Sequence, residues 1–176
     1  MKFVKTPIDG VVVVEATPSS DERGTFTRIW CKRELSDAGL DAELAQCSLS
    51  TNTSRGTLRG MHYQSEQAPE SKLVHCVRGS VFDVVIDLRR ASPTFCQWHG
   101  ELLSSSNGRA LFVPKGCAHG FLTLEDDSHV LYHISEFFRP DTSRGVRWND
   151  PAFKIEWPGR VDVISARDRS YDDFSI

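Results

Sequence analysis

An arginine, a histidine and a glutamine lie within one short run, Arg59-Gly60-Met61-His62-Tyr63-Gln64. The planar fork of an arginine grips phosphate or carboxylate. A histidine takes up a proton near neutral pH. Side by side on a strand that follows a turn, they point to a site that holds an anion and does acid–base work on what is attached to it. Further along stand Lys72, a cation on the next strand, and His119 within Pro114-Lys115-Gly116-Cys117-Ala118-His119-Gly120-Phe121. Tyr132 offers a proton donor, and Ile164-Ser165-Ala166-Arg167-Asp168 offers an aspartate in a loop-like tail. Singly, each has a plainer reading. A strand histidine is often structural, a tyrosine often closes a core edge, a lysine can be a solvated strand end, and an aspartate can cap a turn. Only their combination suggests catalysis.

The elements that must position these residues are short and β-rich, broken by Gly, Pro, Asn and Ser. Strands are expected at Val11–Ala16, Thr25–Trp30, Glu43–Ser50, Thr57–Gln64, Lys72–Arg78, Ser80–Arg89, Gln97–Leu103, Ala110–Val113, Gly120–Leu124 and His129–Phe138. Lys32–Leu40 reads as one short helix closed near Gly39. Many short strands with turn signals between them predict a sandwich or barrel. Alternation from Val81 to Leu88 places Phe82, Val84, Ile86 and Leu88 on one face. Val81, Asp83, Val85 and Asp87 share the other, which suits a partly polar cavity or a facing sheet. Lys72–Asp87 reads as a hairpin about Arg78-Gly79-Ser80. Tyr132 shares parity with Val130, Ile134, Glu136 and Phe138, whereas His129, Leu131 and His133 face away, towards the surface or an interface.

The 176 residues read as one domain, 1–176, with 39% hydrophobic and 26% charged residues, which fits a folded globular chain. Lys plus Arg is 21 and Asp plus Glu is 24, a formal charge of −3 without like-charge blocks, which argues against a nucleic-acid surface. The amino terminus has no apolar signal core, and no apolar run approaches membrane-spanning length. A cytoplasmic protein with no membrane partner is expected. Five scattered cysteines without a Cys-x-x-Cys pair read as reduced, mostly buried thiols. No Gly-x-Gly-x-x-Gly loop follows a strand, so no dinucleotide cofactor is expected. Cupin-type β-barrels often bind a metal through His-x-His; here Gln64 stands two positions after His62, and no metal is expected.

Ordered blocks run through nearly the whole chain. They are Asp21-Glu22-Arg23-Gly24-Thr25-Phe26, Leu58-Arg59-Gly60-Met61-His62-Tyr63-Gln64, Lys72-Leu73-Val74 and Gly79-Ser80-Val81-Phe82-Asp83-Val84. Asp87-Leu88-Arg89 with Ser92-Pro93-Thr94-Phe95, then Val113 to Phe121, Trp148-Asn149-Asp150-Pro151 and Ile155-Glu156-Trp157-Pro158 follow. With these blocks in this order the chain resembles the nucleotide-sugar 3,5-epimerases. The resemblance implies an all-β, cupin-like jelly-roll barrel with short helices, working without metal or cofactor as a homodimer that exchanges an N-terminal strand. It implies that His62 is a general base with Asp168 as its carboxylate partner, Tyr132 a proton donor across the sugar ring, and Lys72 a neighbour of the sugar's oxygens. It further implies that Arg23, Arg59 and His119 line the diphosphate and sugar pocket, that Phe26 and Phe138 stand near the nucleobase, and that Gln46 contacts the nucleotide.

The implied chemistry suits these residue types. In a 4-keto-6-deoxy sugar the protons at C3 and C5 are acidified by the neighbouring ketone. A base on one face and an acid on the other invert each carbon through an enolate, and positive charge near the C4 oxygen stabilises it. The family's usual Glu is Arg28 here, its Asp-Asn is Cys47-Ser48, and its Tyr is Phe138. These departures leave open the donor nucleobase (CDP or GDP instead of dTDP) and whether one carbon or two are inverted. Rival readings are a metal-dependent cupin enzyme and a non-catalytic sugar-nucleotide-binding barrel.

Overall fold

In the computed structural model, which describes residues 1–175, fourteen strands and two short helices follow one another. The strands are β1 (Lys2–Lys5), β2 (Val12–Glu15), β3 (Ser19–Asp21), β4 (Gly24–Phe26), β5 (Gln46–Asn52), β6 (Thr57–Gln64) and β7 (Lys72–Arg78). They continue with β8 (Ser80–Asp87), β9 (Trp98–Ser104), β10 (Arg109–Val113), β11 (Cys117–Thr123), β12 (Ser128–Ile134), β13 (Ser143–Gly145) and β14 (Val163–Ile164). Helix α1 spans Lys32–Asp37 and helix α2 spans Ala166–Arg169. One sheet has the order β1-β2-β10-β7-β12-β5; the other runs β13-β6-β11-β8-β9, with β14 pairing in parallel to β6. Apart from β14 every pairing is antiparallel, and neighbours in each sheet are mostly distant in sequence. This is the jelly-roll arrangement of two facing sheets.

The core lies between the sheets. Val13, Val74, Cys76, Val85, Leu111, Val113, Phe121 and Val130 meet there, with Tyr132 packed at its edge. The face of β8 that mixes valines with aspartates is thus the one turned to the opposite sheet. The outward face of the first sheet is covered by the segment around α1, where Leu35, Trp30 and Leu40 pack on Leu73 and Phe112. There His133 stacks near Trp30 and meets His75 edge-on, so it is half-buried under that segment instead of lying at the surface. Burial holds the His75 ring well below its ordinary range, at about 4. The outward face of the second sheet is covered by the C-terminal third, with Phe153 and Val146 against Val84 and Ile86.

The hairpin expected over Lys72–Asp87 does not form: β7 pairs with β10 and β12 in one sheet and β8 with β11 and β9 in the other, so the turn at Gly79 carries the chain from sheet to sheet. Several expected boundaries also shift. Thr25–Trp30 is extended only as far as Phe26, because β3 and β4 form an isolated hairpin with no wider sheet to continue the pairing. The strand expected to reach Phe138 ends at Ile134, where its pairing with β5 and β7 runs out. Strand β11 begins at Cys117, three residues before the expected start, because its whole length pairs with β8. The helix expected to Leu40 stops at Asp37, with Gly39 at φ 75° just beyond it. Strands β1, β3, β13 and β14 and helix α2 were not anticipated; each is too short for periodicity to register. All five cysteines are free, but only Cys76 and Cys117 are buried, and Cys47 is exposed because its side of edge strand β5 has no cover. No described helix is long and apolar enough to cross a membrane.

Asp87, at the end of β8, ties the following loop to the sheet. It accepts hydrogen bonds from Arg89, Ser92 and Thr94. Burial raises its pKa, but these donors outweigh burial and bring it from 3.8 to about 2. A depressed carboxylate stabilises the fold above its ordinary pKa and loses that contribution as pH falls through the folded value. Stability is therefore expected to drop between about pH 4 and pH 2, with Asp87 supplying about 2 kcal/mol of the change. Urea midpoints against pH should show Asp87→Asn to be less stable at neutral pH and flatter across the acid limb. An unchanged acid limb would refute this.

Candidate active site

A cavity of about 940 Å³ opens at one end of the barrel, between β6 and β11 of one sheet and β5, β7 and β12 of the other. Residues three apart on a regular strand point to opposite faces. Arg59 and His62 nevertheless both line this cavity. The reason is an irregular register: His119 pairs with His62, but Phe121 pairs with Arg59, so β6 carries one extra residue opposite β11. The bulge rests on Gly60, at φ 142°, whose Cβ would lie 2.6 Å from the Cα of Gly120. Gly60→Ala is expected to destabilise the protein by about 3 kcal/mol, since both backbone conformation and space exclude a side chain. Thermal denaturation checks it, and a midpoint within about 1 °C of the parent would refute it.

The tail brings Asp168 to this bulge. Strand β14 runs beside Thr57 and Leu58, and α2 starts directly after it. Ser165 caps α2 by accepting the amide of Asp168 at 3.0 Å. Asp168 therefore stands on a short helix, not in a loop. One carboxylate oxygen lies 2.7 Å from His62 Nε2, and the other accepts the Gly60 amide at 3.2 Å. Burial pushes the Asp168 pKa up, yet the His62 bond and charge, with the Gly60 and Ser165 contacts, outweigh it and hold the carboxyl below its ordinary value. An ionised Asp168 accepts the proton on Nε2, which leaves Nδ1 of His62 as the basic atom. The imidazole is 39% exposed, while Asp168 is 6% exposed.

Tyr132 faces His62 from the other sheet, and both line the same cavity. Burial and the negative charge of Asp83 push the phenol pKa upward, partly offset by Arg59, so the hydroxyl stays protonated at neutral pH. Lys72 lines the cavity from β7, the neighbour of β12 on the Tyr132 wall, with its ammonium 2.9 Å from Glu70 Oε1. Glu70 in turn accepts from Gln64 at 3.2 Å. Arg59 donates from Nε to Asn52 Oδ1 at 2.7 Å, which aims its remaining nitrogens. His119 lines the cavity beside Tyr132, with ring centroids 6.0 Å apart, and Nε2 lies 2.9 Å from both oxygens of Asp83.

Gln46 and Phe138 stand at the cavity rim, where Gln46 Oε1 accepts the Phe138 amide at 3.4 Å and the Phe138 side chain is exposed. Arg23 and Phe26 do not reach this cavity. They sit on the β3–β4 hairpin, where Arg23 pairs with Asp21 and Phe26 is 78% exposed. The hairpin pairs only with itself, so nothing within one chain carries it to the site. Glu70, Ser143, Arg167 and Asp83 escaped the sequence reading. Arg167 lines the cavity and donates to Ser143 Oγ at 2.9 Å. Asp83 had a legible signal, as one of two aspartates that share the inward face of β8 with Val81 and Val85; the others had none. Among the described residues, no three or more His, Cys, Asp or Glu side chains are grouped as metal ligands.

Residues 5–175 match the family model described as dTDP-4-dehydrorhamnose 3,5-epimerase. A dTDP-4-dehydrorhamnose 3,5-epimerase of Methanothermobacter thermautotrophicus is 40% identical over 173 residues, 97% of this chain and 92% of that protein. The crystal structure of the Bacillus anthracis enzyme with TDP and pyrophosphate bound superposes with TM-score 0.94 at 37% identity, covering 98% of this chain and 99% of that one. The Legionella pneumophila dTDP-6-deoxy-D-glucose-3,5-epimerase in complex with dTDP-4-keto-L-rhamnose gives TM-score 0.87 at 36% identity, covering 95% of this chain and 89% of that one. The chain belongs to the dTDP-4-dehydrorhamnose 3,5-epimerase family.

Proposed function

We propose that this protein epimerises a dTDP-4-keto-6-deoxyhexose at C3 and C5 on the way to a deoxysugar. The observation that carries this reading is the His62–Asp168 pair on one wall of a cavity whose opposite wall holds the protonated phenol of Tyr132. His62 Nδ1 removes a proton from the carbon beside the ketone, and the C–H electron pair moves onto the C4 oxygen. Asp168 stabilises the resulting imidazolium. Lys72 faces the C4 oxygen as it becomes negative, where a preorganised donor is typically worth ~3–4 kcal/mol, and His119 stands beside it. Tyr132 then gives its proton to the opposite face of that carbon, which inverts it and restores the ketone. Solvent returns the proton to the phenolate and takes one from His62, so no net redox change occurs. Arg59 and Arg167 orient the substrate through its diphosphate, away from the reacting carbons.

This reading includes a homodimer, with the whole chain as one catalytic domain in the cytoplasm. The β3–β4 hairpin of one copy would bring Arg23 and Phe26 to the cavity of the other, which accounts for their exposure within a single chain. Incubation with dTDP-, CDP- and GDP-linked 4-keto-6-deoxy sugars in deuterated water, followed by NMR, tests the function. Deuterium is expected at C3 and C5 of the dTDP sugar. No exchange with any of the three would overturn the reading.

A further inference from the structure

One charged group in the core has no part in the steps above. Asp83 is fully buried, on the inward face of β8 among Val81 and Val85. Its only hydrogen-bonding partner among the described residues is His119, whose Nε2 lies 2.9 Å from each of its oxygens. A lone buried carboxylate is costly, and a buried ion pair often adds little net stability over an apolar pair. Its placement directly behind a cavity-lining ring suggests another use. The described residues give His119 Nδ1 no hydrogen-bonding partner, and the ring lines the cavity beside Tyr132.

We propose that Asp83 is a positioning residue for the reaction: its carboxylate fixes the His119 ring with a proton on Nε2 and turns Nδ1 to the cavity, where it takes a proton from solvent as substrate binds, donates a hydrogen bond while charge grows on the ketone oxygen, and returns that proton to solvent as product leaves. This rests on the epimerase reading and adds a second carboxylate–imidazole pair to it. The first pair, His62–Asp168, handles the carbon-bound proton. The second, His119–Asp83, serves the oxygen. An imidazole backed by a carboxylate becomes a stronger cation, because its charged form is stabilised where water is excluded. The titratable and charged groups around Asp83 are His119 on β11, Lys72 and Cys76 on β7, and Tyr132 on β12, with Arg59 of β6 acting on Tyr132. Burial holds the Asp83 pKa above its ordinary value; His119 and then Lys72 favour the carboxylate and offset that only in part. The charge of Asp83 also helps keep Tyr132 protonated.

The test combines kinetics with ¹H–¹⁵N spectra of histidine ring nitrogens in wild-type protein, Asp83→Asn, His119→Gln and the double variant. His119 is identified by its absence from the His119→Gln spectrum. The wild-type ring should carry its proton on Nε2, and Asp83→Asn should mix the two tautomers. In Asp83→Asn, kcat should fall about 10- to 100-fold, the size seen when a partner that orients a functional imidazole is lost. KM should move by less than about threefold, since Asp83 does not touch substrate. Deuterium entry at C3 and C5 should slow by the same factor, because one ketone oxygen serves both carbons. The double variant should match His119→Gln within about twofold. Exchange by the wild type with unchanged ring signals or unchanged kcat in Asp83→Asn would overturn this proposal alone. Additive losses in the double variant would do the same. A wild-type enzyme that exchanges no proton would instead overturn the reading on which it rests. Should Asp83→Asn fail to fold, the wild-type spectrum decides: a His119 ring protonated on Nδ1 with Nε2 bare at neutral pH refutes the proposal.

Discussion

A His62→Ala variant is expected to lose epimerisation and solvent-proton exchange together, by ~100- to 10,000-fold in kcat, the usual contribution of a positioned general base. Both carbons should be affected, because each needs the same base on the same wall. Asp168→Asn should come close to this loss although it keeps the imidazole, on the order of 1,000-fold. The asparagine can donate its amide N–H to Nε2, which drives the ring proton onto Nδ1, the atom that must be bare to act as a base. It also removes the negative charge that stabilises the imidazolium. Asp168 further accepts the Gly60 amide and supports the bulge of β6, so circular dichroism and a melting curve should accompany the kinetics. Rates near those of the parent in either variant would refute the base assignment, and a His62→Ala protein with rapid exchange would place the base elsewhere.

Tyr132→Phe is expected to separate two events that the parent couples. Proton removal by His62 needs no phenol, so deuterium should still enter beside the ketone. Inversion needs a donor on the other face and should fall about 100-fold or more. The label would then appear mainly in starting material, with the original configuration retained. Phenylalanine keeps the ring, its packing on the core edge and its edge-on contact with His119, so the fold should be preserved. NMR of one reaction in deuterated water reads both quantities, as label in substrate and label in product. Equal retention of exchange and inversion would show that another group supplies the proton.

Much of this protein could be read along the chain. Strands β6 and β7 have the expected bounds, since turn residues on both sides leave no other frame for an eight-residue and a seven-residue β-rich run. The parity of β12 placed Tyr132 inward and His133 outward, and the side chains lie so. Period-2 alternation is a local property, and an all-β jelly roll follows from enough of it. His62, Lys72, Arg59 and His119 were legible as reactive types near turns, and the ordered blocks named the family.

Other features arise only in three dimensions. Strand parity alone would send Arg59 and His62 to opposite faces, and only the pairing of β6 against β11 brings them to one cavity. Asp168 reaches His62 across 106 positions, by way of a two-residue strand and a one-turn helix too short for any periodic signal. Glu70 beside Lys72, and Asp83 behind His119, are ordinary acids until two sheets close over them. Arg23 and Phe26 show the converse, since family position marks them for the site while a single chain leaves them outside it. Residue type and local period set which chemistry and which strands are available. Which groups meet is decided by long-range pairing and burial, because hydrogen-bond register and exclusion of water depend on neighbours far away along the chain.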